Sequence, residues 1–362
     1  MIPSVMSAIL LKGHGGLDQL EYRTDVPVPT PGHDEVLVEV GAAGLNNTDL
    51  NLRMGWYSKT IETSTADTLN ESVTVDQDAG WSGSALRFPR IQGADACGRI
   101  VAVGPGVPTS RLGERVLIDP IIRDADGATR YFGSDCAGGF ASYTTVPNSN
   151  ACRIDSTLTD TELASFPCAY LAALNMLTRA SVSAGERVLI TGASGGVGSA
   201  AVQLAKACGA YVIAISQPAK LGAVKSLGAD QVLSRDQDLM DVIGSQSVDV
   251  VIDVVGGPAF ASLLGVLKPH GRYAVAGAIA GPLVTLDLRT LYLKDLSFFG
   301  CTIPAVAVFQ ALLTYLQNNA VKPVISATFP LAKMAQAQSL FLEKNHTGKI
   351  VLQVKPEGIR DT

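Results

Sequence analysis

From residue 188 onwards, apolar and polar positions alternate in blocks. Short apolar runs at 188–190, 211–215, 231–233, 248–255, 272–276 and 296–300 predict buried strands, and helical spacing at 200–208, 219–227, 239–243 and 258–267 fills the gaps. Strands that alternate with helices in this way predict a doubly wound parallel α/β sheet, which binds ligands at the carboxyl ends of its strands. Before residue 150 the pattern differs. Strand-like runs at 35–41, 100–103, 114–118 and 141–146 are broken by Pro29-Thr30-Pro31-Gly32 and Gly104-Pro105-Gly106, which predicts a β-rich module. A helix at 306–317 and a last strand at 350–354 are expected to pack back on that module, because the parallel sheet is already complete. The expected division is therefore residues 1–154 with 304–362, and 155–303 between them.

The stretch Val188-Leu189-Ile190-Thr191-Gly192-Ala193-Ser194-Gly195-Gly196-Val197-Gly198-Ser199 reads as strand, tight turn and helix. Gly195 and Gly196 let the backbone approach a pyrophosphate, and Gly198 lets the next helix pack on the strand. The helix N-terminus offers free N–H groups and positive dipole. The first glycine of the usual pattern is here Ala193, so the flanking alternation carries the reading; an α/β domain without nucleotide is the bland alternative. Gly192, Ala193, Ser194, Gly195, Gly196, Val197 and Gly198 are the candidate cofactor contacts of the turn. Val255, Gly256, Ala278, Phe299 and Gly300 are candidates at later strand ends.

An NAD enzyme usually carries Asp or Glu about 20 residues after the glycines, to hold the ribose hydroxyls. This chain has Ile215-Ser216-Gln217-Pro218-Ala219-Lys220 instead. Ser216 and Lys220 form a set that accepts a 2′-phosphate, which favours NADP(H). Lys220 has a second reading as a solvated residue of the next helix.

Composition narrows the class. A chain of 362 residues with 47% hydrophobic and 17% charged content can fill two cores. Its net charge of −5 argues against a nucleic-acid or anionic-membrane surface. No apolar run reaches the roughly 18–20 residues that span a bilayer, and the first residues lack signal-peptide order, so a cytoplasmic protein with a small-molecule substrate is expected. Six cysteines without a C-x-x-C pair fit reduced thiols.

Over nearly its full length the chain resembles the medium-chain dehydrogenase/reductase superfamily, and within it the zinc-independent quinone oxidoreductase branch. The resemblance lies in Gly44-Leu45-Asn46-Asn47-Thr48-Asp49-Leu50-Asn51-Leu52-Arg53-Met54-Gly55-Trp56-Tyr57, in Pro89-Arg90-Ile91-Gln92-Gly93-Ala94-Asp95-Ala96-Cys97-Gly98, in Gly138-Gly139-Phe140-Ala141-Ser142-Tyr143, in the glycine turn and in Gly348-Lys349-Ile350-Val351-Leu352. It implies a GroES-like β-rich catalytic domain plus a Rossmann domain, a cleft where cofactor and substrate meet, and commonly a homodimer. Lys349 joins the expected cofactor contacts.

Zinc-dependent relatives place a Cys at the position matching Asn46, a His at Ala94 and a Cys at Cys168. Two of the three ligands are missing, and catalytic zinc needs three protein donors, so no metal is expected. The structural zinc is not expected either, since Cys97 and Cys136 are the only cysteines between residues 90 and 140. Cys168 reads as a small buried thiol near the nicotinamide, with reactivity as a second reading.

Without a Lewis acid, reduction favours quinones, enals and enones over simple ketones. The resemblance puts Asn46, Asp49, Asn51 and Tyr57 at the substrate end. There Asn46 binds the ribose or a substrate oxygen, Asp49 fixes its neighbours, and Tyr57 is the proton donor of enoyl-thioester reductases. A helix cap is the alternative for Asn47 and Thr48, and plain packing the alternative for Tyr57. Arg53 is expected in an ion pair. None of His14, His33, His270 and His346 falls at a metal or base position. The polar segment 58–87 predicts an irregular lid, with Trp56 and Trp81 as its apolar wall. An alcohol dehydrogenase or carbonyl reductase and a non-catalytic NADPH-binding protein remain the other readings.

Overall fold

The computed structural model describes residues 1–68 and 78–355. The chain opens with an antiparallel pair, β1 (Val5–Leu11) and β2 (Leu20–Pro27), and β3 (Glu35–Leu45) then runs into α1 (Asn47–Met54). After α2 (Thr65–Thr68) come β4 (Cys97–Val103), β5 (Arg115–Ile118), β6 (Ile121–Arg123), β7 (Thr129–Tyr131), β8 (Tyr143–Pro147) and β9 (Ala151–Arg153). Helices α3 (Asp160–Leu163) and α4 (Pro167–Arg179) lead to β10 (Arg187–Ile190), α5 (Gly196–Ala207), β11 (Tyr211–Ser216), α6 (Leu221–Ser226) and β12 (Gln231–Ser234). Then follow α7 (Leu239–Ile243), β13 (Val248–Asp253), α8 (Phe260–Val266), β14 (Leu267–Val275), α9 (Leu288–Leu293) and β15 (Ser297–Gly300). The described chain ends with α10 (Val306–Gln317), β16 (Ile325–Pro330), α11 (Met334–Leu342) and β17 (Lys349–Gln353).

Two compact units result. The first holds the described parts of Met1–Ile61, Glu71–Cys168 and Ile325–Thr362, and the second those of Glu62–Asn70 and Ala169–Val324. Compactness thus divides the chain at 168/169 and 324/325, not at the expected 154/155 and 303/304. Helix α10 accordingly counts with the second unit, where Tyr315 meets the Cys208 thiol at 3.8 Å. Its face of Phe309, Leu312, Leu313 and Leu316 is buried, so apolar burial decides where it goes.

In the first unit the sheet order is β16-β17-β3-β4-β5-β9, with β8 also paired to β3. Strand β3 is the spine: Val36, Val38 and Val40 alternate into a core that also takes Met334, Ala337 and Phe341 of α11. Strand β17 does return to this unit. It pairs antiparallel with β3, Ile350 opposite Leu45, which sets Lys349 beside the start of α1.

The second unit is a six-stranded parallel sheet in the order β12-β11-β10-β13-β14-β15. Val188, Leu189 and Ile190 are fully buried, as a strand covered on both faces requires, and each such side chain contributes about 1.5–3 kcal/mol by burial. The order reverses between β10 and β13, so the crevice at their carboxyl ends is the place for a ligand.

Segment 58–87 is more ordered than expected where it is described. It contains α2, which belongs to the second unit and whose Thr65 N–H donates to Ile279 O at 3.1 Å. Asp76 and Gln77, expected in the lid, lie outside the described residues.

Candidate active site

The turn after β10 leads from a buried strand straight into a helix N-terminus. Gly192 has φ 56°, open to glycine, and its carbonyl accepts the Gly195 N–H at 2.9 Å. A Cβ on Gly198 would lie 2.2 Å from Gly192 O, so only glycine allows α5 to start this close to the strand. Gly195 is its N-cap, and the first N–H groups of this 12-residue helix face the turn with the positive end of its dipole. Gly192, Ala193, Ser194, Gly195, Gly196, Val197 and Gly198 thus come together in one turn, the candidate phosphate cradle. Val255, Gly256 and Ala278 join one another at the end of β13, where a Cβ on Gly256 would meet Ala278 Cα at 3.1 Å. Phe299 and Gly300 lie at the end of the edge strand β15, and Gly300 O accepts from Arg179 at 2.6 Å.

Asp253 ties these loops together, which the sequence reading missed. Fully buried, it accepts from Thr191 Oγ1 at 2.6 Å, Tyr273 OH at 2.5 Å, and the N–H groups of Val255 and Gly256 at 2.9 and 3.2 Å. Burial, reinforced by the Asp253 charge, pushes the Tyr273 phenol well up and keeps it a donor. At the end of β11, Ser216 is buried, and its Oγ has no hydrogen-bond partner among the described residues. Its carbonyl accepts the Arg235 N–H at 2.9 Å. Burial lowers the Lys220 ammonium, and the nearby Arg235 charge lowers it further. Arg235 was missed as well, although parallel pairing of Ser216 with Ser234 would have pointed to it.

The candidate catalytic side chains gather in the first unit. Asn46 caps α1: its N–H donates to Asp49 Oδ2 at 2.8 Å, the reciprocal arm of a capping box. Its amide is engaged at both ends. Nδ2 donates to Asp95 Oδ2 at 2.9 Å, and Oδ1 accepts from Lys349 Nζ. Lys349, the expected cofactor contact, also donates to Leu45 O and Asp95 Oδ2, each at 2.8 Å, and is the cation of this cluster. Asp95 Oδ1 accepts the Cys168 N–H at 2.6 Å. Burial pushes Asp49 up to about 7, partly against its hydrogen bond from Asn46 and the Lys349 charge.

Tyr57 OH lies 3.5 Å from Thr48 Oγ1, with the Asn51 side chain as a further partner, and burial pushes the phenol up. Asn51 is buried, and its Oδ1 has no partner among the described residues. Tyr131, which no sequence signal singled out, has its OH 3.1 Å from Cys168 Sγ. Burial, then the Asp95 charge, pushes the Cys168 thiol up to about 12, so it is a poor nucleophile at neutral pH. Trp81 stacks on Tyr131 at 4.4 Å, and Trp56 meets Tyr57 edge-on at 5.9 Å. Among the described residues Arg53 does not form the expected ion pair: fully buried, it donates to Gln338 Oε1 at 2.8 Å and to Gly15 O at 2.5 Å.

Comparison with known proteins decides the family. Residues 32–156 match the alcohol dehydrogenase GroES-like domain, and residues 196–318 the zinc-binding dehydrogenase domain. A provisionally named alcohol dehydrogenase of Sinorhizobium meliloti 1021 has a crystal structure with 44% identity, 97% of each chain covered and a TM-score of 0.87. The chain belongs to the medium-chain dehydrogenase/reductase superfamily. Quinone oxidoreductase of Lama guanicoe is 29% identical over 97% of this chain and 98% of its own. The structure of a 2-octenoyl-CoA carboxylase reductase in complex with NADP and 2-octenoyl-CoA is 25% identical, with a TM-score of 0.83, over 100% of this chain and 91% of that one. The chain is thus quinone oxidoreductase-like, and it is an NAD(P)H-dependent oxidoreductase.

The name of the second domain implies zinc, but the residues present do not fit it. Position 46 offers an amide already shared between an ammonium and a carboxylate, and position 94 a buried methyl group. The Lys349 ammonium also brings a positive charge into the cluster that a dication would have to share. A nicotinamide cofactor does fit, since the Gly192–Gly198 turn is present and Ser216 Oγ has no partner among the described residues.

Proposed function

We propose that the chain is an NADPH-dependent reductase of conjugated carbonyl acceptors, namely quinones, enones, enals or enoyl thioesters, and that it works without catalytic zinc. The observation that supports this reading is the Asn46–Asp95–Lys349 cluster beside Ala94, where the Asn46 amide is already shared between an ammonium and a carboxylate. A nicotinamide held by the glycine turn would supply the hydride. In a conjugated acceptor the resulting charge spreads onto the carbonyl oxygen, so hydrogen-bond donors suffice where a simple ketone calls for a metal. Tyr57 stays protonated through neutral pH because burial raises its pKa, and it serves as the acid for the carbon α to the carbonyl. Asn46 is the donor to the oxygen, while Asp49 and Asn51 hold α1 and the phenol in place. The names of the quinone and enoyl-CoA relatives support the same acceptor class.

NADPH is preferred because Ser216, Lys220 and Arg235 would hold a 2′-phosphate. The two cations would bind it as charge-assisted donors, and the unpartnered Ser216 hydroxyl would gain a partner. We also infer a homodimer. Leu288, Tyr292 and Leu293 on α9, Phe298 on the edge strand β15 and Leu283 in the loop before α9 are exposed, a patch that needs covering. Light scattering should give twice the 37.7 kDa of one chain, and a monomeric mass would sink the inference. Free cysteines at all six positions fit the reducing cytoplasm.

A simple carbonyl is the second reading, favoured by the name of the Sinorhizobium relative. Rates with NADPH and NADH on an enone, a quinone, an enoyl thioester and an unconjugated ketone separate the two. Turnover of the unconjugated ketone as fast as the enone would overturn the proposal.

A further inference from the structure

Lys349 and Asp95 form an ion pair whose side chains are 3% and 0% exposed. Burying both charges costs desolvation that an apolar pair of the same volume would avoid, so packing alone does not account for them. The ammonium spends its three hydrogens on Leu45 O, Asn46 Oδ1 and Asp95 Oδ2. The consequence falls on Asn46. Its carbonyl faces a full positive charge, which draws electron density out of the amide and strengthens its N–H groups as donors. One of those hydrogens goes to Asp95 at 2.9 Å. The other has only Gly44 O, at 3.4 Å, longer than an ordinary N–H···O bond. Asn46 is 7% exposed, so it is not fully sealed from a ligand.

We propose that Lys349 is a positioning residue that fixes and polarises Asn46, so that the weakly engaged Nδ2–H donates to the acceptor's carbonyl oxygen as charge gathers there. This rests on the conjugated-acceptor reading. It gives Lys349 a different task from cofactor contact, and an internal cation acts through an amide where a relative with zinc acts directly.

The test uses 4-nitrophenol, whose phenolate imitates a developing oxyanion and absorbs apart from the phenol. The native protein loaded with NADP⁺ should bind phenolate in preference to phenol. Lys349→Met should weaken phenolate binding about tenfold, well within the range for losing a preorganised donor, and leave affinity for the neutral phenol and for NADP⁺ unchanged. Asn46→Ala should lose the same factor, and the double change should add nothing, as for two residues acting through one contact. Lys349→Arg should restore most of the preference. Because Lys349→Met strands a buried Asp95, Lys349→Met/Asp95→Asn is measured beside it; the neutral pair should fold and show the same loss. A fall in thermal stability with native phenolate preference and native kcat would make the role structural and overturn the proposal. So would a native protein without phenolate preference. Should the native protein reduce only unconjugated ketones, the proposed function falls, yet the phenolate titration still decides the role of Lys349.

Discussion

The phosphate cradle and the polar cluster around Asn46 are assembled in opposite ways. The cradle is one continuous stretch from Gly192 to Gly198, and its shape follows from local spacing, because glycine is forced where Gly198 approaches Gly192 O. The cluster joins Asn46, Asp95 and Lys349, whose outer members are 303 positions apart. Its geometry follows from sheet register, since Ile350 opposite Leu45 is what brings Lys349 to α1. A local motif therefore tolerates little change within itself. A cluster built by register should instead respond to changes in charge.

The sharpest way to break this comparison is Gly198→Val, which drives a side chain into Gly192 O. Cofactor binding followed by nicotinamide fluorescence should be abolished, and native affinity would mean the cradle is not the site. In the cluster, Tyr57→Phe keeps the packing and removes the acid. Turnover on an enoyl substrate should fall roughly a hundredfold, the lower end for general acid catalysis, and unchanged turnover would withdraw the assignment. Arg235→Ala sharpens the first region: KM for NADPH should rise about tenfold, as for one lost charge-assisted bond, with NADH unaffected. Equal effects on both cofactors would make Arg235 merely structural.

The smallest effect concerns pH. Asp49 has a native pKa raised from 3.8 to about 7, so between those values the folded state binds more proton than the unfolded one. Its contribution to stability is greatest at or below pH 4, is lost as pH rises towards 7, and stays flat above that. Thermal midpoints at pH 5 and pH 8 should therefore lie closer together in Asp49→Asn than in the native protein. An unchanged gap would show that Asp49 does not titrate there.

How much of this was legible in the sequence follows from the same contrast. The parallel sheet could be read because fully buried strands are continuous apolar runs, and Asn46, Asp49 and Tyr57 because they share one short segment. Asp253 and Arg235 were not read: the first looks like the polar end of a strand, and the second matters only once β11 and β12 are paired. Helix α10 was expected with the first module because no sequence pattern says which core an amphipathic face will enter. Tyr131 carries no signal at all, since its position beside Cys168 exists only in the folded unit. Arg53 was expected to be paired by charge, but in the fold it ties α1 to Gln338 and Gly15 by neutral acceptors.

Conjugate reduction without a catalytic metal can be tested in one experiment. NADPH-dependent reduction of an enone is measured before and after exhaustive dialysis against a chelator, with the zinc content of both samples determined. The rate should be the same in each, with far less than one zinc per chain. Activity that disappears on dialysis and returns with stoichiometric zinc would contradict it.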